Sequence, residues 1–447
     1  MVVHIALGIG FGDEGKGSIC DALCRKHKAT TVVRFNGGSQ AAHAVVLPDG
    51  KHHIFAQFGS GTLAGARTHL SRFMLVNPLT MDREAQVLQQ TCGFDPYGKT
   101  TIDREALVTN VYQVAANRLR EALRGKDRHG SCGMGIGETV DDSLQHPEMA
   151  LRIQDLENWS VLCEKLEYSR QLKLNSLKHA RLDADQRDVD PNYEVLLEPI
   201  RHYAERYARF AERVRIVDRD HLKTTLSEGD VIFEGAQGVL LDQDFGFHPH
   251  TTWSDTTLGN ADKLLKEADF QGEVRRIGIL RGYTTRHGAG PFPTETQNEF
   301  PSDTHNGFGT WQEGFRTGPF DLMLADYAIK VLEKTGSTLD ELAITNLDKT
   351  PTNPRICTQY VFTKDGEETT CQNLAPRRLG QVELEYGSEL TRLMFKFKPV
   401  YEALESRASL IWRIETKLKV PVTLCSVGPT YQDKLPTAKY LRTVHAG

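Results

Sequence analysis

No apolar run in this chain approaches the ~20 residues needed to span a bilayer, and nothing near Met1 combines a basic stretch with a long apolar one. Membrane insertion and a secretory signal are therefore not expected. An excess of one charge is missing too. The 54 Lys and Arg residues face 59 Asp and Glu, a net charge of −5, which gives no whole-protein bias toward nucleic acid or a lipid surface. The eight cysteines show no C-x-x-C spacing, so they read as reduced thiols of a cytoplasmic protein, not as a disulfide framework or zinc site. Internal repeats and low-complexity linkers are also missing. A small-molecule partner is what these absences leave.

The 447 residues suit a large α/β enzyme built around one sheet. An apolar run, Val2-Val3-His4-Ile5-Ala6-Leu7, leads into "GFGDEGKGS", and a helix is expected from about Ser18 to Lys28. Ile19, Cys20, Leu23 and Cys24 share one face of that helix, the spacing that packs on a sheet. A second run, Thr30 to Phe35, ends in the turn Asn36-Gly37-Gly38. Strand, helix and strand at this spacing predict a large, mostly parallel central sheet with surrounding helices. Val231–Phe233, Arg276–Leu280, Leu342–Thr345 and Val422–Cys425 are further strand candidates, each running into a polar or glycine-containing loop. Ligands gather at such carboxyl ends. A charged, leucine-spaced stretch makes residues about 100–215 a helical insertion within a single domain spanning 1–447.

The glycine loop departs from the phosphate-binding pattern G-x-x-x-x-G-K-[ST]. Gly10, Gly15 and Lys16 fit it, but Gly17 stands where a magnesium-binding hydroxyl belongs and Asp13 interrupts the cradle. Glycines let backbone N–H groups approach phosphate, and Lys16 supplies charge. A carboxylate beside phosphate is repulsive unless it binds a metal or accepts a proton. His43, in "RFNGGSQAAHAVV", is a candidate proton donor to act with Asp13. "HPH" at His248 to His250 invites a metal reading, which is the weaker one.

"GFGDEGKG", "RFNGGSQAAHAVV", "FEGAQGVLLD" (233–242) and "GAGPFPTE" (288–295), in this order, resemble the adenylosuccinate synthetase family. The resemblance implies a ligase that uses GTP to phosphorylate the 6-oxygen of inosine monophosphate, after which L-aspartate displaces the phosphate. It implies that Asp13 removes the N1 proton and ligates Mg2+ together with the carbonyl of Ala42. His43 would donate toward the phosphoryl group, with Lys16 and Gln237 completing the catalytic set. GTP would lie against Gly12, Asp13, Glu14, Gly15, Lys16, Gly17, Ser18, Ala42, His43 and Ala44. Its base would meet Asn346, Leu347 and Asp348, where the family has Lys-x-Asp, and Ser426, Val427 and Gly428 of "CSVGP". An aspartate at 348 can accept from guanine N1–H and N2–H2 together; starting a turn is its other reading. The acceptor nucleotide would meet Asp13, Gln40, Cys132, Gln237 and Thr252, and a homodimer is implied.

Three arginine-bearing sites of the family are altered. "SCGMGIG" (131–137) carries Met134 in place of an arginine, and Gln145-His146 fall near an arginine offered across the dimer. The arginine-rich amino-donor loop reads "GTWQEGFRTG" (309–318), with Thr310, Trp311, Gln312 and only Arg316 as a cation. Arginine forks bind carboxylates bidentately, so the amine donor is open. A sister enzyme with another amine or a 2-aminopurine nucleotide is one alternative, and a non-catalytic GTP-binding protein is another.

Overall fold

Ten strands, β1 (Val2–Gly8), β2 (Thr31–Arg34), β3 (Arg67–Leu70), β4 (Thr100–Asp103), β5 (Arg215–Val217), β6 (Val231–Glu234), β7 (Glu273–Arg281), β8 (Glu341–Thr345), β9 (Val422–Ser426) and β10 (Lys434–Pro436), form one sheet. The computed structural model describes residues 1–125, 129–177, 191–301, 311, 314–376 and 384–445. Strand order is β10-β9-β8-β7-β1-β6-β2-β3-β4-β5. Every pair is parallel except β9 with the edge strand β10. The four later strand candidates are β6, β7, β8 and β9, as the sequence predicts.

Strands covered on both faces by helices must be apolar on both, and β2 and β6 are buried throughout. The two-residue period divides them between two cores. Ile232 packs with Ile19, Cys20, Leu23 and Cys24 under helix α1 (Lys16–His27). Its neighbours Val231 and Phe233 join Leu264, Leu322 and Met323 on the other face. The expected helical face is thus the one that α1 buries.

Residues 100–215 open and close in sheet strands, β4 and β5, so the helices there begin only after Asp103. Val111–Arg124 starts on a capping box in which Asn110 and Gln113 satisfy each other's backbone N–H groups. Trp159–Ser176 and Arg201–Arg213 pack with it through Leu119, Leu162, Leu166, Tyr207 and Phe210. Two hairpins rise from the carboxyl end of the sheet: His43–Val46 with His52–Phe55, and Thr284–His287 with Phe315–Gly318. Among the described residues no helix is long and apolar enough to cross a membrane.

Candidate active site

A cleft of about 1540 Å3 lies over the carboxyl ends of β1, β7 and β8. Its floor is the loop between β1 and α1. Glu14 folds into that loop, where Oε1 accepts from the N–H groups of Gly10 (3.0 Å) and Gly12 (2.8 Å). Its Oε2 accepts from Lys16 Nζ at 2.6 Å. Glu14 thereby takes donors that a phosphate cradle would offer an anion, and it does not face the cleft, whereas Lys16, Gly17 and Ser18 do. Neighbouring strands hold the loop: Thr345 Oγ1 donates to Glu14 O (2.6 Å) and Arg281 Nε donates to Asp13 O.

The glycine at position 17 has a packing cause. A Cβ there would sit 2.9 Å from the backbone carbon and the Cβ of His43. A hydroxyl-bearing residue would therefore push away the hairpin that carries His43. Close approach of loop and histidine replaces the usual hydroxyl.

Asp13 points into the cleft in the left-handed region (φ 58°). His287 Nδ1 lies 3.7 Å from its Oδ2. Burial pushes the Asp13 carboxyl up, but the nearby His287 ring and the charges of Arg281 and Lys16 outweigh it, so its pKa falls below the usual carboxylate value. One ionised carboxylate beside a phosphate cradle is a donor set that suits Mg2+, which is commonly held by one or two carboxylates plus substrate phosphates.

His43 is 7% exposed, and its Nδ1 lies 2.6 Å from Glu234 Oε1. Glu234 ends β6 with no exposed surface and also accepts from the Ser60 hydroxyl and the Ser60 N–H (2.9 Å). Burial raises its pKa, but His43, Arg34 and Ser60 together lower it to about 2, so the carboxylate is ionised. With Nδ1 held by a carboxylate, Nε2 is the nitrogen left for chemistry. The dyad orients His43 as the buried acid of a triad orients its histidine.

The cleft brings together Gln40, Cys132, Gln237 and Thr252, the residues expected to meet an acceptor nucleotide. Both amide atoms of Gln40, the Gln237 Oε1 and the His287 Nε2 are buried with no hydrogen-bond partner. Buried polar atoms are nearly always paired, so four orphans in one cleft make this part of it suited to a polar ligand. Burial raises the Cys132 thiol pKa, so it stays a neutral wall.

At the other end, Ala42, Ala44, Asn346, Asp348, Ser426 and Gly428 line the same cleft. Asp348 is exposed, whereas Leu347 is fully buried in the core and ties its N–H to Ser426 O at 3.0 Å. Val427 ties its N–H to Asp433 O (3.0 Å). These two hold the loops in shape.

Arg316 is committed elsewhere. Its guanidinium donates to Gly288 O (2.6 and 3.0 Å), Gly290 O (2.9 Å) and Glu295 (2.8 Å), and it is not in the cleft wall. The cations that do line the cleft include Arg281, Arg286, Arg120 and Arg124. Trp311 packs on Gly133, so two of the altered loops meet. Thr310, Gln312 and Glu313 lie outside the described residues. Reading by motif missed Glu234, Arg281 and His287. The first is inside "FEGAQG", and the last immediately precedes "GAGPFPTE".

The model of the family described as adenylosuccinate synthetase matches residues 5–435. The chain belongs to the adenylosuccinate synthetase family. The Vibrio cholerae adenylosuccinate synthetase is 31% identical over 445 residues, covering 96% of this chain and 97% of its own. That of Mycolicibacterium paratuberculosis is 33% identical over 373 residues, 80% of each chain. The structure of fully ligated adenylosuccinate synthetase from Plasmodium falciparum superposes with a TM-score of 0.76 at 22% identity, covering 97% of this chain and 99% of that one. Cyanophage S-2L succinoaminodeoxyadenylate synthetase, bound to dGMP and dATP, gives a TM-score of 0.57 at 16% identity, covering 99% and 98%. At these identities the two structures speak for the fold, the expected α/β sheet with surrounding helices. Family membership makes this protein an adenylosuccinate synthetase-like ligase.

Proposed function

We propose that the protein transfers the γ-phosphoryl group of GTP to the 6-oxygen of inosine monophosphate and lets the amine of L-aspartate displace it. The observation that carries this reading is the meeting of Asp13 and the buried His43–Glu234 pair over one glycine loop. A neutral amide oxygen is a poor nucleophile. Removal of N1–H by the Asp13 carboxylate turns the 6-oxygen into an oxyanion, which bonds to the γ-phosphorus as the GDP oxygen leaves. His43 Nε2 and Lys16 Nζ offset charge on the transferring group. The amine nitrogen then bonds to C6, phosphate departs, and the nitrogen releases its proton to solvent. Asp13 and the Ala42 carbonyl would hold Mg2+, which when bound neutralises phosphate charge. Gln40, Gln237 and Thr252 orient the acceptor, and Asp348 reads the guanine.

One observation favours a second reading of the donor. Arg316 is used up on the Gly288 and Gly290 carbonyls, so an amine with less need of a carboxylate fork fits the altered loop. Mass spectrometry of products across purine monophosphates and amino acids, with GTP and with ATP, decides between them. Adenylosuccinate from inosine monophosphate and aspartate is the expected product. A product formed only with another amine or a 2-aminopurine nucleotide would replace this reading, and acceptor-independent GTP hydrolysis would remove it.

A further inference from the structure

His4 projects from β1 near the amino end of the sheet and is 2% exposed, yet neither of its ring nitrogens has a hydrogen-bond partner. A buried imidazole without partners is costly unless something else satisfies it. Two groups face it. His27, at the last turn of α1, places its ring centroid 4.2 Å from that of His4. Asp230, just before β6, completes the group: one ligand atom from each of the three residues lies within 4.8 Å of the other two. Among the described residues no other three His, Cys, Asp or Glu side chains converge this closely.

We propose that His4, His27 and Asp230 bind one divalent transition-metal ion of the zinc class, as a structural staple between β1, α1 and β6. Two imidazoles and a carboxylate, with water in the fourth position, are a zinc-type donor set, whereas Mg2+ and Ca2+ prefer all-oxygen sites. At zinc bond lengths of ~2.0–2.1 Å, tetrahedral ligand atoms stand about 3.3 Å apart. His27 and Asp230 are only partly buried, so rotation of their side chains closes the gap and solvent gives the ion a way in. Asp230 is pre-oriented, because its Oδ1 accepts from the Val2 N–H at 2.8 Å, the kind of outer hydrogen bond that aims a ligand. The opposing charges are Lys26 and Arg275, and Arg275 is paired with Glu273 at 2.6 Å. His4 stands four residues before Gly8 on the strand, roughly 13 Å from the loop, so this ion would not share the nucleotide's magnesium.

The test uses the full chain stripped of metal by a chelator. Zn2+ and Co2+ are titrated by calorimetry, Co2+ is also followed by its visible absorption, and Tm is measured with Zn2+ and with Mg2+. The wild type should bind one equivalent with a tetrahedral Co2+ spectrum, and its Tm should rise with Zn2+ but not with Mg2+. His27→Ala should lose that equivalent or weaken it at least tenfold, together with the Tm rise. Asp230→Asn, which keeps an acceptor for Val2, is the second variant should His27→Ala fold poorly. Wild-type protein that binds no Zn2+ overturns the proposal. So does a variant whose stoichiometry and Co2+ spectrum match the wild type, because the metal is then held elsewhere.

Discussion

Replacing Glu234 by Gln keeps the side chain's shape but removes the charge on which His43, Ser60 and Arg34 converge. The usual carboxylate value of 4.5 falls to about 2 in the fold. Removing one partner of a buried, hydrogen-bonded charge pair costs about 3 kcal/mol or more, and ionised Glu234 contributes stability of that order at neutral pH. The sign follows from the depression. The folded state favours the ionised form, so this contribution is complete above about pH 4.5 and is lost as pH falls toward about 2. Glu234→Gln should thus lower unfolding stability by about 3 kcal/mol at pH 7, with the deficit shrinking between pH 4.5 and 2. The catalytic loss is separate: an amide can turn either end to His43 Nδ1, so the imidazole loses its fixed tautomer and kcat should drop ~10²–10³-fold. KM for the nucleotides should stay near wild type, since Glu234 touches neither. Urea unfolding across pH and phosphate release under saturating substrates measure the two effects. A variant with lowered stability but a kcat within twofold of wild type would refute the dyad as catalytic apparatus and leave Glu234 a structural residue.

Asp13→Asn should retain GTP binding and lose ~10²–10⁴ in turnover, the range of a general base; calorimetry beside steady-state rates checks it, and a wild-type rate at saturating Mg2+ would reassign the base. Gly17→Ala should push the His43 hairpin outward by its Cβ contact, costing about 1–3 kcal/mol of stability and most of the turnover. Thermal unfolding with rate measurement tests this, and unchanged kcat would mean the loop yields without moving His43. Asp348→Asn should weaken GTP relative to ATP about ten- to hundredfold, because a guanine donor loses its acceptor at ~1–3 kcal/mol. Competition kinetics read the ratio, and a wild type already indifferent to GTP and ATP would remove that role.

Much of the sheet was legible beforehand because its strands are short apolar runs that end in polar or glycine-containing loops. Buried parallel strands have to be apolar on both faces, and that leaves a local trace. Asp13 and Lys16 were legible for a similar reason, since the glycine loop is a contiguous segment with its own spacing, and His43 lies in a second short motif. Glu234 was not. It is one more residue of a strand until β6 takes its place between β1 and β2 and brings that carboxylate 2.6 Å from a histidine 191 positions away. Arg281 and His287 escaped likewise, as partners of Asp13 only across the sheet.

Arg316 and the histidines show the limit most sharply. Sequence singled out Arg316 as the lone cation of the donor loop, yet the hairpin registers it opposite Arg286, and its guanidinium turns to the carbonyls of residues 288 and 290. His248 and His250 flank a single proline in sequence, but each meets a backbone carbonyl, of Gln243 at 2.8 Å and of His129 at 3.3 Å. His4, His27 and Asp230, scattered over more than two hundred positions, are the ones that converge. The sequence by itself determined the strands and the glycine loop that carries Asp13 and Lys16, because those depend on local periodicity and backbone freedom. Only the tertiary structure decided which charges meet, because a hydrogen bond or an ion pair needs a few ångströms of separation, and strand order in the sheet, not distance along the chain, sets that separation.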